Sequence, residues 1–185
     1  MIDKADNCKI IARVGVGLDN VDQEAAKVKN IRVINAVEGA MNAVAELVLG
    51  FMLSLARQTA RGDRAIRNEQ WLKKELKGTE LRGKYLGIIG LGNIGKRLGR
   101  LARALNMNII GYDVIPIDEE FAKEVGLMKA DLNTLLQSSD YISIHVPLLD
   151  STYHLLDAEK MSTMKKTAKI INTSRGGVVD EDALY

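Results

Sequence analysis

A glycine-rich turn between a predicted strand and a predicted helix is the part of the sequence best suited to chemistry. Residues 84–89 are apolar in an extended pattern and run into Gly90-Leu91-Gly92-Asn93-Ile94-Gly95. In such a turn the first glycine permits a tight bend, and the second lets backbone N–H groups approach a pyrophosphate. The third lets the helix pack closely on the strand. The pattern predicts a dinucleotide site, with candidate contacts at Gly90, Gly92, Asn93, Ile94 and Gly95.

The end of the next predicted strand supplies an acid at a suitable distance. Asp113 lies 18 residues after Gly95, close to the roughly 20 typical of the carboxylate that accepts hydrogen bonds from a ribose 2′-hydroxyl. Residues 114–120 contain three acids that would repel a 2′-phosphate, and no Lys or Arg that could hold one. We therefore expect the cofactor to be NAD rather than NADP.

Strands and helices alternate around this turn. The predicted helix at residues 93–105 has apolar residues at helical spacing on one face. Near-continuous apolar strands that alternate with helices are typical of a parallel, doubly wound sheet. The sequence therefore predicts an α/β fold of Rossmann type, from which we expect the last helix and the sixth strand to be missing. The five predicted strands lie at residues 84–89, 107–113, near 127, 141–146 and 168–173. The later helices are expected near residues 118–125, 132–138 and 157–161.

The N-terminal part of the chain predicts a compact βαβ unit. Residues 9–14 and 31–36 have the pattern of strands. The helix between them is expected to begin at Asp19 or Asn20. The loop Gly15-Val16-Gly17 follows the first strand and is a second place where a backbone could approach an anion, with a plain turn as the alternative.

A long helical pattern then runs from about residue 42 to residue 67, with Gly62 as its expected weak point. Its first half is apolar nearly all round. That distribution predicts burial on more than one side, either between two domains or at a subunit contact.

Composition and charge exclude several classes of protein. The chain has 185 residues, of which 46% are hydrophobic and 27% are charged, and this is typical of a globular protein with one domain and part of another. A net charge of +2 gives no argument for nucleic acid. Cys8 is the only cysteine, so no internal disulfide or thiolate metal cluster is expected. Without a signal sequence or an apolar run of ~20 residues, we expect a cytoplasmic protein that has no membrane partner.

An arginine follows the last predicted strand. The carboxyl ends of strands in such a sheet are where ligands bind. The planar guanidinium group of Arg175 is suited to a carboxylate. A structural salt bridge is the alternative role for a lone arginine.

Four segments together resemble the D-isomer-specific 2-hydroxyacid dehydrogenases. The resemblance covers nearly the whole chain, and within that family the chain is most similar to the D-3-phosphoglycerate dehydrogenases. The segments are Gly15-Val16-Gly17-Leu18-Asp19-Asn20-Val21-Asp22, Gly78-Thr79-Glu80-Leu81, His145-Val146-Pro147-Leu148 and Asn172-Thr173-Ser174-Arg175-Gly176-Gly177-Val178-Val179-Asp180-Glu181.

The resemblance implies hydride transfer between NAD and C2 of a small D-2-hydroxy acid, with 3-phosphoglycerate in serine biosynthesis as the expected substrate. It implies that Arg175 is the catalytic residue, which binds the substrate carboxylate and polarises the C2 oxygen. Backbone amides of Gly15 and Val16 would hold the same acid. Together with the glycine turn, the expected cofactor-binding residues are Val16, Gly90, Gly92, Asn93, Ile94, Gly95, Asp113, His145, Val146, Pro147, Thr173, Ser174 and Arg175.

The resemblance also implies a domain organisation. Residues 1–40 would be the C-terminal part of the first half of a flavodoxin-like substrate domain, residues 41–83 an interdomain helix and connection, and residues 84–185 the NAD-binding domain without its last helix and strand. Val37 stands where the family usually has proline, and Ala40 where the phosphoglycerate enzymes often have asparagine.

The family's proton carrier is a histidine held by a glutamate, and both lie beyond the end of this sequence. His145 and His154 are not expected to replace it. A positioned acid contributes about 10²- to 10⁴-fold to such a reaction. We therefore expect this chain to be truncated and to bind NAD while turning over very slowly or not at all.

Other functions fit the same residues. Glyoxylate or hydroxypyruvate reduction is the nearest alternative, and an NAD-sensing corepressor is an alternative from another class. The expected partners are a small anionic 2-hydroxy or 2-oxo acid and a second copy of the chain. The homodimer would form through the NAD-binding domain and the helix at residues 43–56. No metal site is expected.

Overall fold

The computed structural model describes residues 2–36 and 39–185. Val37, one of the two departures from the family pattern, lies outside the described residues. The chain divides into two compact units, residues 1–43 and residues 44–185. The assignment of the first unit to a substrate domain stays a prediction.

The first unit contains the predicted βαβ arrangement. A short 3-10 helix covers Ile2–Lys4. Strands β1 (Ile10–Arg13) and β2 (Arg32–Asn35) pair in parallel and are connected through helix α1 (Gln23–Val28). The predicted start of this helix at Asp19 or Asn20 is wrong. It begins at Gln23 because the side chain of Asp22 accepts a hydrogen bond from the backbone N–H of Ala25, at 2.9 Å, and so caps the first turn.

The second unit is a parallel α/β sheet whose five strands take the order β5-β4-β3-β6-β7. Counted from β3, this is the order 3-2-1-4-5 expected of a Rossmann-type domain, so the predicted fold class is confirmed. The strands are β3 (Tyr85–Ile89), β4 (Asn108–Tyr112), β5 (Leu127–Lys129), β6 (Tyr141–Ile144) and β7 (Lys169–Asn172). The helices from Met41 onward are α2 (Met41–Arg57), α3 (Thr59–Arg67), α4 (Asn93–Ala104), α5 (Glu119–Val125), α6 (Leu132–Ser138), α7 (Ala158–Ser162) and α8 (Glu181–Leu184).

Alternate residues of each strand face opposite sides of this sheet, and both sides are covered. On β3, Leu86 and Ile88 belong to a core cluster that includes residues of α2, α4 and α5. Ile89 belongs to a second cluster, which includes Leu135 and Leu136 of α6. Burial on both faces explains why these strands are continuously apolar in sequence.

The long helix expected at residues 42–67 is interrupted, and Gly62 is not the break. Gln58 adopts a left-handed backbone conformation with φ of 55° between α2 and α3, and the two helices are bent by 65°. The chain returns across the end of α2, where the N–H of Thr79 donates to the carbonyl of Ala56 at 2.8 Å. A Cβ on Gly78 would lie 2.6 Å from that carbonyl oxygen, so only glycine fits this crossing.

One face of α2 is packed and the opposite face is open. Ala45, Val48, Met52 and Ala56 are buried in the core. Apolar side chains elsewhere around the helix are 42–49% exposed, and they are Leu47, Phe51, Leu53 and Leu55. Within the described residues α2 is buried on one side only. The prediction that it is buried on more than one side would require a binding partner, and it stays a prediction.

Among the described residues, no single helix is long and apolar enough to cross a membrane. The bent pair α2 and α3 passes that test by length and composition only.

Candidate functional site

The predicted contacts of the second unit meet at one edge of the five-stranded sheet. Strands β3, β4, β6 and β7 run parallel, so their carboxyl ends lie together. Gly90, Asp113, His145 and Thr173 are the residues that follow these four strands. Ligands of open α/β sheets bind outside this edge, next to the strand where the order reverses.

The glycine turn is tightly built. Gly90 has φ of 92°, a left-handed conformation that favours glycine, and a Cβ there would lie 2.9 Å from the backbone carbonyl of His145. A Cβ on Gly95 would lie 2.2 Å from the carbonyl oxygen of Gly90. These two glycines let β3, α4 and the end of β6 approach one another closely.

Gly92 faces open space instead. It precedes the first residue of α4, makes no side-chain cap, and has no neighbour within 4 Å of an added Cβ. The N–H groups at the start of this 12-residue helix therefore lack a side-chain cap, while Asn93 is exposed and Ile94 half-buried. A helix N-terminus of this kind favours an anion, and an open glycine leaves room for a pyrophosphate.

The carboxylate of Asp113 is held beside this turn. One oxygen accepts from the N–H of Leu91 at 2.7 Å, and the other accepts from the N–H of Ile115 at 2.9 Å. Each carboxylate oxygen can accept a further hydrogen bond. Asp113 is half-buried and suitably placed to take two ribose hydroxyls next to the glycine turn.

His145 is an uncharged group at neutral pH. Burial lowers the pKa of its imidazole from 6.5 to about 4, because the charged form loses its hydration. Its Nε2 atom forms a hydrogen bond with the hydroxyl of the buried Ser143 at 2.8 Å. Next to it, Val146 is half-buried and Pro147 is exposed. His145 therefore offers polar contact without adding charge to this edge.

The end of β7 supplies the last group of candidates. Thr173, Ser174 and Arg175 are all half-buried. The hydroxyl oxygen of Thr173 is buried and has no hydrogen-bond partner among the described residues. Buried hydroxyls in proteins are almost always paired, so an unpaired one at this edge fits a site that receives a polar ligand.

The Gly15 loop belongs to the first unit. Gly15 has φ of 146°, and the exposed Val16 follows it. The carbonyl of Val16 accepts a hydrogen bond from the side chain of Asn35 at 2.6 Å, and the carbonyl of Gly17 accepts one from Arg13. The loop is thus fixed from both strands of its unit. Its approach to the same substrate as Arg175 stays a prediction.

Sequence reasoning missed two supports of the Arg175 turn. The side chain of Asn172 forms hydrogen bonds with Ser174 and with the backbone of Arg175. Further along, the backbones of residues 154–156 and 177–180 pair with each other, with Leu156 N–H donating to Val178 at 3.2 Å. His154 lies in this pairing, and its ring lies 3.4 Å from the carboxylate of Asp180 and stacks on Tyr153. Asx-turn rules applied to Asn172 would have found the first support.

The residues present fit a dinucleotide. The open glycine at an uncapped helix N-terminus, the adjacent carboxylate and the unpaired buried hydroxyl all lie at the ligand-binding edge of a Rossmann-type sheet. The fold and the site together define a dinucleotide-binding domain.

Comparison with known proteins gives the family. The family described as "D-isomer specific 2-hydroxyacid dehydrogenase, NAD binding domain" matches residues 49–185. This match covers well over half of the chain, so the chain belongs to the D-isomer-specific 2-hydroxyacid dehydrogenases, a family of NAD-dependent oxidoreductases. The matched part is the domain that binds NAD, and both the predicted family and the predicted cofactor are confirmed.

Similar proteins are longer than this chain. A hydroxypyruvate reductase of Thermotoga maritima is 46% identical over 185 residues, which are 100% of this chain and 59% of that protein. A D-3-phosphoglycerate dehydrogenase of Methanocaldococcus jannaschii is 45% identical over 186 residues, 100% of this chain and 35% of that protein. A structure of D-lactate dehydrogenase from Aquifex aeolicus, in complex with NAD and lactic acid, is 36% identical with a TM-score of 0.85. The two chains align over 96% of this chain and 53% of the D-lactate dehydrogenase chain.

Proposed function

We propose that this chain provides the NAD site and the carboxylate-binding arginine of a D-2-hydroxyacid dehydrogenase, with 3-phosphoglycerate as its substrate. One observation carries the proposal: the uncapped N-terminus of α4 and the carboxylate of Asp113 lie together at the sheet edge where β7 also ends in the Arg175 turn. A cofactor site and a carboxylate site at one edge are what hydride transfer to a 2-oxo acid requires.

In this proposal the residues of the chain bind and orient the reactants. The N–H groups at the start of α4 hold the pyrophosphate, and Asp113 holds the adenosine ribose. The guanidinium of Arg175 binds the substrate carboxylate through paired N–H donors. Its positive charge also stabilises the C2 oxygen, on which negative charge develops as the ketone is reduced. When bound, the oxidised cofactor NAD would accept the hydride, and the reduced cofactor NADH would donate it.

A titration with reduced cofactors tests the NAD site. We expect the chain to bind NADH at least ~10-fold more tightly than NADPH, because Asp113 would face the added phosphate of NADPH and like charges in contact cost more than ~1.4 kcal/mol. The measurement is the change in NADH fluorescence on addition of protein. Equal affinities for the two cofactors would contradict the proposed role of Asp113.

The substrate branch has a close alternative. A hydroxypyruvate reductase and a phosphoglycerate dehydrogenase match the chain with nearly equal identity, 46% and 45%. Binding of 3-phosphoglycerate to the NAD complex, compared with binding of hydroxypyruvate and glyoxylate to the NADH complex, separates these two enzymes. An NAD-sensing binding protein, the alternative from another class, would change its assembly with NADH and show no preference among these acids.

We further propose that α2 forms a homodimer contact. Its open face carries Leu47 and Phe51, which are 49% and 45% exposed, and an apolar helix face of this kind is typical of a subunit contact. The variant Leu47→Glu/Phe51→Glu is expected to sediment as a monomer, whereas the unaltered chain sediments as a dimer with or without NADH. Val28→Glu is the matched control, because Val28 is 82% exposed on α1. A monomeric unaltered chain would contradict this contact.

A further inference from the structure

The turn that carries Arg175 is held by a single amide side chain. The Oδ1 atom of Asn172 accepts two hydrogen bonds from Ser174, one from its backbone N–H at 3.0 Å and one from its hydroxyl at 2.8 Å. The Nδ2 atom of Asn172 donates to the backbone carbonyl of Arg175 at 2.8 Å. The oxygen of this planar amide is therefore bonded to Ser174 and its nitrogen to Arg175, so the amide restrains the backbone from which the Arg175 side chain extends.

The direction of the arginine is restrained as well. Nη1 of Arg175 donates to the carbonyl of Ser174 at 2.8 Å, so the guanidinium folds back over the turn that Asn172 closes. On the other side, the N–H of His154 donates to the carbonyl of Gly177 at 2.7 Å. Arg175 thus lies between two fixed points of the backbone, one at Asn172 and one at Gly177.

Fold stability alone gives little reason for this arrangement. Asn172 is an exposed residue at the end of β7, and its three side-chain bonds all go to Ser174 and Arg175. An exposed hydrogen bond contributes little to the free energy of folding, because water replaces it when it is lost. Such bonds do restrict the conformations of the turn, and catalytic groups depend on accurate placement.

We propose that Asn172 is a positioning residue, which sets the place and direction of the Arg175 guanidinium for a carboxylate ligand. This inference rests on the proposed role of Arg175 in binding the substrate carboxylate. Asn172 itself touches neither the substrate nor the cofactor in this proposal. Its effect on ligand binding passes through the turn.

The test uses oxalate as the probe, added to the chain saturated with NADH and measured by calorimetry. Asn172→Ala removes all three bonds and is expected to raise the Kd for oxalate about tenfold and the Kd for NADH by a smaller factor, because the same turn carries the expected cofactor contacts Thr173 and Ser174. Asn172→Asp keeps the acceptor for Ser174 but turns a second carboxylate oxygen toward the carbonyl of Arg175 and adds a negative charge near the oxalate site, so its effect on the Kd for oxalate is expected to be at least as large. Asn108→Ala is the matched control, since Asn108 donates one bond to the carbonyl of Gly83, at 3.0 Å, at the start of β4. It is expected to leave oxalate binding unchanged.

The failure of this inference and the failure of the proposed function give different results. If Arg175→Ala leaves oxalate binding unchanged, the proposed role of Arg175 is wrong. If Arg175→Ala abolishes oxalate binding while Asn172→Ala has no effect, the positioning role of Asn172 is wrong.

Hydrogen exchange of the Ser174 amide gives a second readout that needs no ligand. We expect Asn172→Ala to accelerate it about tenfold relative to Asn108→Ala, because the amide loses its acceptor. An unchanged exchange rate overturns the inference whatever the oxalate result.

Discussion

Gly95→Ala is expected to destabilise the second unit by about 3 kcal/mol, the upper end of the usual cost of overpacking a well-packed site. The added Cβ would lie 2.2 Å from the carbonyl oxygen of Gly90 and 3.2 Å from a side-chain carbon of Ile88. Both neighbours belong to the buried turn and strand, so neither can move without shifting β3 against α4. The free energy of unfolding, measured by urea denaturation followed by circular dichroism, is expected to fall, and NADH binding is expected to be lost.

Gly50→Ala is the matched control for this prediction. Gly50 lies inside α2, is exposed, and has no atom within 4 Å of an added Cβ. Alanine in a helix interior is favoured over glycine by about 1 kcal/mol, so this variant is expected to be slightly more stable than the unaltered chain. If Gly95→Ala is as stable as Gly50→Ala, α4 does not pack against the end of β3 as closely as described.

The features that the sequence predicted well depend on local patterns. The glycine turn and the five strands of the second unit follow from apolar periodicity and from the spacing of three glycines, which short windows of sequence contain. The strand order then follows from the general rule for doubly wound sheets. The Asx-type bonds of Asn172 span only two and three residues, so they too were within reach of sequence reasoning.

The features that sequence reasoning missed depend on contacts between residues that are distant in the sequence. The end of α2 is set at Gln58 where Gly78 crosses the carbonyl of Ala56, and helical periodicity through residue 67 gives no sign of that crossing. The bond from Leu91 N–H to Asp113 joins residues 22 apart. This bond requires the ends of β3 and β4 to be adjacent. The spacing of Asp113 in the sequence therefore predicts its contact with ribose, but it does not predict the backbone N–H group that holds the carboxylate in place.

Asp113→Ala is expected to weaken NADH binding at least ~100-fold, because two hydrogen bonds from ribose hydroxyls to a charged acceptor would be lost, each with a net contribution of about 1.5–3 kcal/mol. NADPH binding is expected to fall less, since removal of the carboxylate also removes its repulsion of the 2′-phosphate. The ratio of the two Kd values is therefore the decisive quantity. Both are measured by fluorescence titration at one ionic strength, because the repulsion is screened by salt.

The alanine variant also removes the acceptor for the N–H groups of Leu91 and Ile115, so a matched control must separate cofactor contact from loss of local structure. Asp131→Ala provides it, because the exposed side chain of Asp131 accepts from the N–H of Thr134 at 2.9 Å and caps α6. That variant is expected to lose about 1 kcal/mol of stability and no NADH affinity. If the two variants bind NADH equally well, Asp113 supports the turn without contacting the ribose. A fall in NADH affinity with a lowered NADH-to-NADPH preference, found only for Asp113→Ala, assigns the contact to its carboxylate.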